Sequence, residues 1–124
     1  MADDNLCKLA EKVSRNAYAP YSCLEVGAAV DTDAGIFSGC NLENASYGLT
    51  TCAERNAVAA AVASGAQRVN KIAVYSKQKL VTPCGACLQV IREFATAETE
   101  IILCSKGKRK KVALGDLLPL PFRL

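Results

Sequence analysis

Two segments of this chain place cysteine where a helix begins, and a fold that gives those cysteines a purpose has to bring the two helix starts together. Residues 51–61 read TCAERNAVAAA and residues 81–90 read VTPCGACLQV. Each turns apolar at helical spacing just past its first cysteine, and Pro83 is the kind of residue that opens a helix. Cys84 and Cys87 are separated by one helical turn, so they share a face of the second helix. All three cysteines then sit at helix N-termini, where the positive end of the helix favours thiolate over thiol. Thr51 and Glu54 also match a capping box, which accounts for those two residues but leaves Cys52 unused.

Thiolates gathered without a counter-charge repel one another, and a zinc ion resolves the repulsion by binding sulfur at about 2.3 Å in tetrahedral geometry. Three protein ligands leave the fourth position to water, which separates a catalytic zinc from a structural one. The metal candidates are therefore Cys52, Cys84 and Cys87, holding one Zn²⁺ per subunit. Glu54, close in sequence to Cys52, is the candidate general acid and base. Arg55 is placed to donate to the sulfurs and offset the negative charge they put on the metal; its alternative is a surface salt bridge. The chain has no histidine. Ser-His-Asp and Cys-His nucleophile systems are thereby excluded, as is a zinc site that uses imidazole. The seven cysteines are an odd number, and they argue for metal ligands or buried thiols rather than a disulfide framework. Cys7, Cys23, Cys40 and Cys104 read as small buried hydrophobes. Cys40, beside Asn41, is the candidate for a fourth sulfur.

Periodicity along the rest of the chain sets the layers. Leu6, Leu9, Ala10, Val13 and Ala17 recur at helical spacing and predict a helix over about 4–17. Residues 25–32 and 36–42 read as strands of a hairpin turning at Asp33-Ala34-Gly35. The helix beginning at Cys52 stops near Ser64-Gly65, residues 71–76 are a buried strand, and a helix runs from Thr82-Pro83 to about Phe94. Residues 100–104 and 111–114 form further strands around a turn at Lys106-Gly107-Lys108, and 115–118 make one helical turn before an irregular tail. A leading helix followed by the order ββαβαβ points to a three-layer α/β/α sandwich around a mixed sheet. At 124 residues, with 51% hydrophobic and 22% charged residues, the chain is expected to form one domain, residues 1–124. No apolar run spans a bilayer and the opening MADDNL is unlike a secretory leader, so the reading is a cytoplasmic protein with no membrane partner. The net charge of +3 is too small to imply nucleic acid, and KGKRKK (106–111) reads as a solvated hairpin turn.

The ordered set of CAE and, about thirty residues downstream, PCGAC resembles the zinc signature of nucleoside and nucleotide deaminases. The chain is most similar to the small homotetrameric cytidine deaminases. That similarity runs through AYAPYS (17–22), VGAAV (26–30), GCNLENASYG (39–48), CAERNA (52–57), PCGACLQVI (83–91) and the LLP…F of the tail (117–122). The resemblance implies zinc-dependent hydrolysis of cytidine and 2′-deoxycytidine to the uridine nucleosides and ammonia, in pyrimidine salvage. It implies that Cys52, Cys84 and Cys87 hold the zinc. Glu54 would move a proton from the metal-held water to the ring nitrogen beside the reacting carbon, then assist ammonia departure. The backbone of Ala53 is implied to contact the base, and Asn41 and Glu43 to bond the ribose hydroxyls. Leu24 stands where the family usually has the phenylalanine that lines the base pocket. Phe122 is implied to stack on the base of a neighbouring subunit, with Ala45 and Tyr47 also contributing across an interface. The implied assembly is a homotetramer with shared active sites.

Other readings of the same residues stay open at this point. A structural zinc module needs a fourth ligand and leaves Glu54 unexplained. A dithiol oxidoreductase built on Cys84 and Cys87 has no use for Cys52 or Glu54. Within the deaminase reading, the runner-up substrate is a modified cytosine nucleoside of the blasticidin type, because leucine at position 24 leaves more room than phenylalanine.

Overall fold

A computed structural model describes residues 2–124. Five strands form one sheet in the order β2-β1-β3-β4-β5. Here β1 is Val26–Thr32, β2 Gly35–Cys40, β3 Val69–Ser76, β4 Glu100–Ser105 and β5 Lys108–Ala113. The β3–β4 pair is parallel and the others antiparallel. That parallel pair is joined through α3 (Gly85–Glu93), the crossover such a pair requires. The remaining α-helices are α1 (Ala2–Ser14), α2 (Ala53–Ala63) and the short α4 (Leu114–Leu117), and a 3-10 turn covers Tyr47–Leu49.

Strand alternation sorts the core into two layers. Val30, Ile72, Val74, Ile101 and Leu103 pack with Ala57, Val58, Leu88 and Ile91 of α2 and α3. Ala29, Ala73, Tyr75 and Ile102 point to the other face and meet Leu6, Cys7 and Ala10 of α1. The result is the expected α/β/α sandwich around a mixed sheet.

Strand direction explains where the two cysteine-bearing helices start. β2 pairs antiparallel with β1, and β1 antiparallel with β3, so β2 and β3 run the same way. The chain therefore leaves for α2 and for α3 from one end of the sheet, beside the beginning of β1. Gly39 lets α2 sit tight against β2, since a Cβ there would lie 2.5 Å from the Ala57 amide nitrogen. Asn56 of α2 then donates from Nδ2 to the Cys40 carbonyl at 2.8 Å.

Boundaries depart from the sequence expectation where single residues decide them. α1 ends at Ser14, whose hydroxyl donates to the Glu11 carbonyl at 2.6 Å, instead of running to Ala17. Just beyond, the Tyr18 N–H pairs with the Asn41 carbonyl at 3.0 Å and draws the chain toward the site. Cys84 is the N-cap of α3 in extended geometry, so Pro83 precedes that helix and does not open it. Cys52 caps α2 in the same way with no side-chain capping bond, which removes the Thr51–Glu54 capping box. β5 begins at Lys108 because Lys106-Gly107 is a tight turn with Gly107 at φ +71°. The lysine-rich run lies largely exposed on this edge strand, where charge discourages pairing with another sheet.

Two ties fasten α1 to the sheet. Asp3 pairs with Lys71 of β3 at 2.8 Å and with Lys111 of β5 at 2.7 Å, and Asp4 with Arg109 at 2.6 Å. Cys7 and Cys104 are joined as a disulfide between α1 and β4, which corrects the expectation that both are free thiols. Both side chains fill the same layer beneath α1, and their Cα atoms, 6.3 Å apart, are within bridging range. No helix among the described residues is long and apolar enough to cross a membrane.

Candidate active site

At the shared end of the sheet, the starts of α2 and α3 bring three sulfurs together. Cys52 Sγ lies 3.9 Å from Cys84 Sγ, and Cys84 Sγ lies 3.6 Å from Cys87 Sγ. The three atoms fall within 4.8 Å of one another, the one such group of metal-ligating side chains among the described residues. Zinc–sulfur bonds of about 2.3 Å in a tetrahedron imply sulfur–sulfur edges of about 3.8 Å, so the observed spacing fits a zinc ion. Cys40 is outside the group, and the fourth sulfur considered for it is absent there.

Electrostatics makes the same demand. Hydrogen bonding from the Cys87 thiol, and after it from the Arg55 guanidinium, overcomes burial and holds the Cys52 thiol down at about 5. The same pairing with Cys52, together with burial and the nearby Glu54 carboxylate, pushes Cys87 up. The Cys52 sulfur ionises easily and the Cys87 sulfur resists, as two like charges held close together must. Arg55 Nη2 donates to Cys52 Sγ at 3.4 Å, which places the guanidinium on the sulfurs and not in a surface salt bridge. Its bonds to Cys52 and Cys87 hold the guanidinium charge more firmly still.

Glu54, in the first turn of α2, is 3% exposed. Burial, with the Cys52 charge adding to it, pushes its carboxyl up to about 7. A cleft of about 200 Å³ opens over these groups, and its walls include Leu24, Asn41, Glu43, Cys52, Ala53, Glu54 and Cys84. Asn41 accepts the Val26 N–H on Oδ1 at 2.9 Å and donates from Nδ2 to the Leu24 carbonyl at 2.8 Å. The Glu43 carboxylate accepts the Ser22 hydroxyl and the N–H groups of Tyr21 and Ser22, the latter two at 3.0 and 3.1 Å. The Ser22 hydroxyl first, and these amides after it, keep Glu43 below the usual carboxylate range.

Three expected site residues do not line this cleft. Ala45 is exposed on the loop after β2. Tyr47 is 76% exposed, with its ring edge-on to Tyr21 at 6.0 Å between centroids. Phe122 is 71% exposed, its backbone gripped by the Gln89 side chain through bonds of 3.1 and 3.0 Å. Conversely, Ser22, Val26, Thr50, Thr51, Val81 and Thr82 line the cleft, and the sequence marks none of them as a site residue. Ser22 follows the Ala19-Pro20 break and reads in sequence as an ordinary turn serine; only the fold puts it on Glu43.

Three sulfurs with no fourth protein ligand among the described residues, beside a buried carboxylate, make a zinc-dependent enzyme and not a closed zinc module. Residues 1–103 match the family described as the cytidine and deoxycytidylate deaminase zinc-binding region, and the chain belongs to that family. It is similar to the cytidine deaminase of Halalkalibacterium halodurans, 43% identical over 120 residues, covering 94% of this chain and 91% of that protein. It also superposes on the crystal structure of cytidine deaminase from Burkholderia pseudomallei, with a TM-score of 0.91 at 42% identity, covering 98% of this chain and 100% of that one. The Blasticidin-S deaminase of Bacillus cereus is 31% identical over 107 residues, covering 78% of this chain and 76% of that protein.

Proposed function

We propose that this chain is a zinc-dependent cytidine deaminase, converting cytidine and 2′-deoxycytidine to the uridine nucleosides with release of ammonia, in pyrimidine salvage. The observation that carries the reading is the meeting of Cys52, Cys84 and Cys87 with buried Glu54 in a cleft that also holds Asn41 and Glu43. Its fuller likeness to named cytidine deaminases than to the blasticidin-S enzyme supports plain cytidine as substrate.

Cys52, Cys84 and Cys87 would hold the metal, which when bound supplies the Lewis acidity that makes water nucleophilic near neutral pH. Arg55 donates to Cys52 and draws off part of the negative charge that three thiolates bring. Glu54 moves the protons: burial raises its carboxyl from the ordinary carboxylate range, and a carboxyl raised toward neutrality can both accept and return a proton. It takes a proton from the attacking water, passes it to the ring nitrogen beside the amino-bearing carbon, and helps the amine leave as ammonia. The Ala53 backbone, at the first turn of α2, faces the base. The Glu43 carboxylate, kept anionic by Ser22 and Tyr21, accepts a ribose hydroxyl, and Asn41 supports the same sugar. Leu24 is the apolar wall for the ring.

Residues 1–124 act as one catalytic domain with one zinc per subunit, in the cytoplasm, without nucleic acid or membrane. The assembly is a homotetramer with shared sites. Exposed Leu42, Tyr47, Leu49, Leu120 and Phe122 support it, as large apolar side chains left in solvent suit an interface. Loss of cytidine absorbance, measured beside zinc content, tests the reading. The expected result is turnover that scales with zinc; zinc-loaded protein that leaves cytidine intact would refute it.

A further inference from the structure

Cys23 has a positive φ of +59°, the one residue other than glycine with this property among the described residues. A residue with a Cβ enters that left-handed region at a cost, which the surroundings must offset. The strained position lies between two residues that line the cleft, Ser22 and Leu24. The loop around it does specific work. Tyr21 and Ser22 donate their N–H groups to Glu43, and the Leu24 N–H donates to Ser22 Oγ at 3.0 Å.

The Cys23 N–H bonds the Ala19 carbonyl at 3.0 Å within the turn, and a second hold comes from outside it. Gln78 Nε2 donates to the Cys23 carbonyl at 2.7 Å, and Gln78 Oε1 accepts the Ser76 hydroxyl at 2.9 Å. Ser76 is the last residue of β3 and is fully buried. The Gln78 amide is thus held by the sheet at one end and holds the loop at the other. We infer that Gln78 is a positioning residue for substrate: the Ser76–Gln78–Cys23 relay locks loop 21–24 in the shape that organises Glu43 and the Leu24 wall around a nucleoside. This rests on the cleft being the nucleoside site. Gln78 does not line that cleft and touches none of the groups assigned to proton transfer or metal binding.

Steady-state kinetics and amide hydrogen exchange together test the lock. In Gln78→Ala, KM for cytidine should rise about threefold to tenfold with kcat little changed, the loss expected of one hydrogen bond acting in binding. The Tyr21 and Ser22 amides should exchange faster while the melting temperature stays close to that of the parent. Gln78→Glu keeps the acceptor for Ser76 but loses the donor for Cys23, so it should match the alanine variant. Glycine tolerates a positive φ, so in a Cys23→Gly background the loss of Gln78 should matter less. Unchanged exchange at Tyr21 and Ser22 in Gln78→Ala overturns the lock, as does a Gln78→Glu enzyme that behaves like the parent. A parent enzyme inactive on cytidine sinks the substrate assignment instead, and the exchange data still decide the lock.

Discussion

Arg55 reaches back one helical turn to Cys52, its Nη2 donating to the sulfur at 3.4 Å, while its Nε is buried without a protein partner. A guanidinium left partly unsatisfied in order to face a sulfur is serving that sulfur, because buried donors otherwise find acceptors. Arg55→Ala should lower turnover with modest loss of zinc, since uncompensated thiolates make the metal a poorer Lewis acid. Arg55→Gln, which keeps donors without charge, should fall between the two. Kinetics with zinc quantification on both variants checks this, and a fully active Arg55→Ala enzyme would show that the contact has no catalytic consequence.

Glu54 supplies the second prediction. Glu54→Gln preserves shape but cannot shuttle protons, so turnover should fall by about 10²–10⁴-fold, the range for loss of general acid–base catalysis. Zinc content should stay at one per subunit. Activity near that of the parent would reduce Glu54 to a buried structural residue.

The number of protein ligands can be counted by mutation. Cys40→Ser should keep the metal, because Cys40 lies outside the sulfur group. Cys84→Ala and Cys87→Ala should lose zinc and activity together. Zinc stripped by Cys40→Ser would mean four protein sulfurs and no open position for water.

The three-cysteine group was legible because it lies in short local motifs at helix starts. CAER and PCGAC each specify their own first turn, and the thiolates themselves require convergence around a cation. What stayed hidden depends on partners far along the chain. Cys7 and Cys104 are separated by 97 positions and leave no periodic trace of their pairing. The bonds from Ser22 to Glu43 and from Gln78 to Cys23 likewise appear only once strand register is set. Thr51 and Pro83 carry the usual helix-opening chemistry, yet Cys52 and Cys84 take the N-cap positions, each with extended backbone and no side-chain capping bond. The length of β5 was underestimated since KRKK, exposed on both faces, has no apolar alternation to read.

Asp3 makes stability depend on acid. Hydrogen bonds from Lys111 and then Lys71 hold its carboxyl at about 2, below the ordinary 3.8. A depressed folded-state value means the network stabilises the protein at pH above about 4, and that contribution is lost as pH falls from there toward about 2. Asp3→Asn should therefore melt lower than the parent at neutral pH, with the gap closing through this acid window. Melting curves at pH 7, 4, 3 and 2 would show it; a gap that does not change with pH would mean that Asp3 acts through packing alone.

Leu24 decides between substrates. It is half-buried, lines the cleft, and is held there by the bond from Asn41 Nδ2 to its carbonyl at 2.8 Å. Leucine offers an apolar wall but no π face for a pyrimidine. Aromatic pairs are worth about 0.5–1.5 kcal/mol beyond burial, so if the base packs on Leu24 the lack of a ring should weaken cytidine binding by up to about tenfold. If the cleft serves plain cytidine, Leu24→Phe should keep or improve kcat/KM for it. If the extra room serves a bulkier cytosine nucleoside such as blasticidin S, the same variant should lose that substrate and keep cytidine. The two substrates measured on one variant separate these outcomes. A variant that loses cytidine outright would mean the ring at position 24 enters the space of the base itself, and Leu24 would then be a limit on the size of the cleft and not a vacancy left by a missing aromatic.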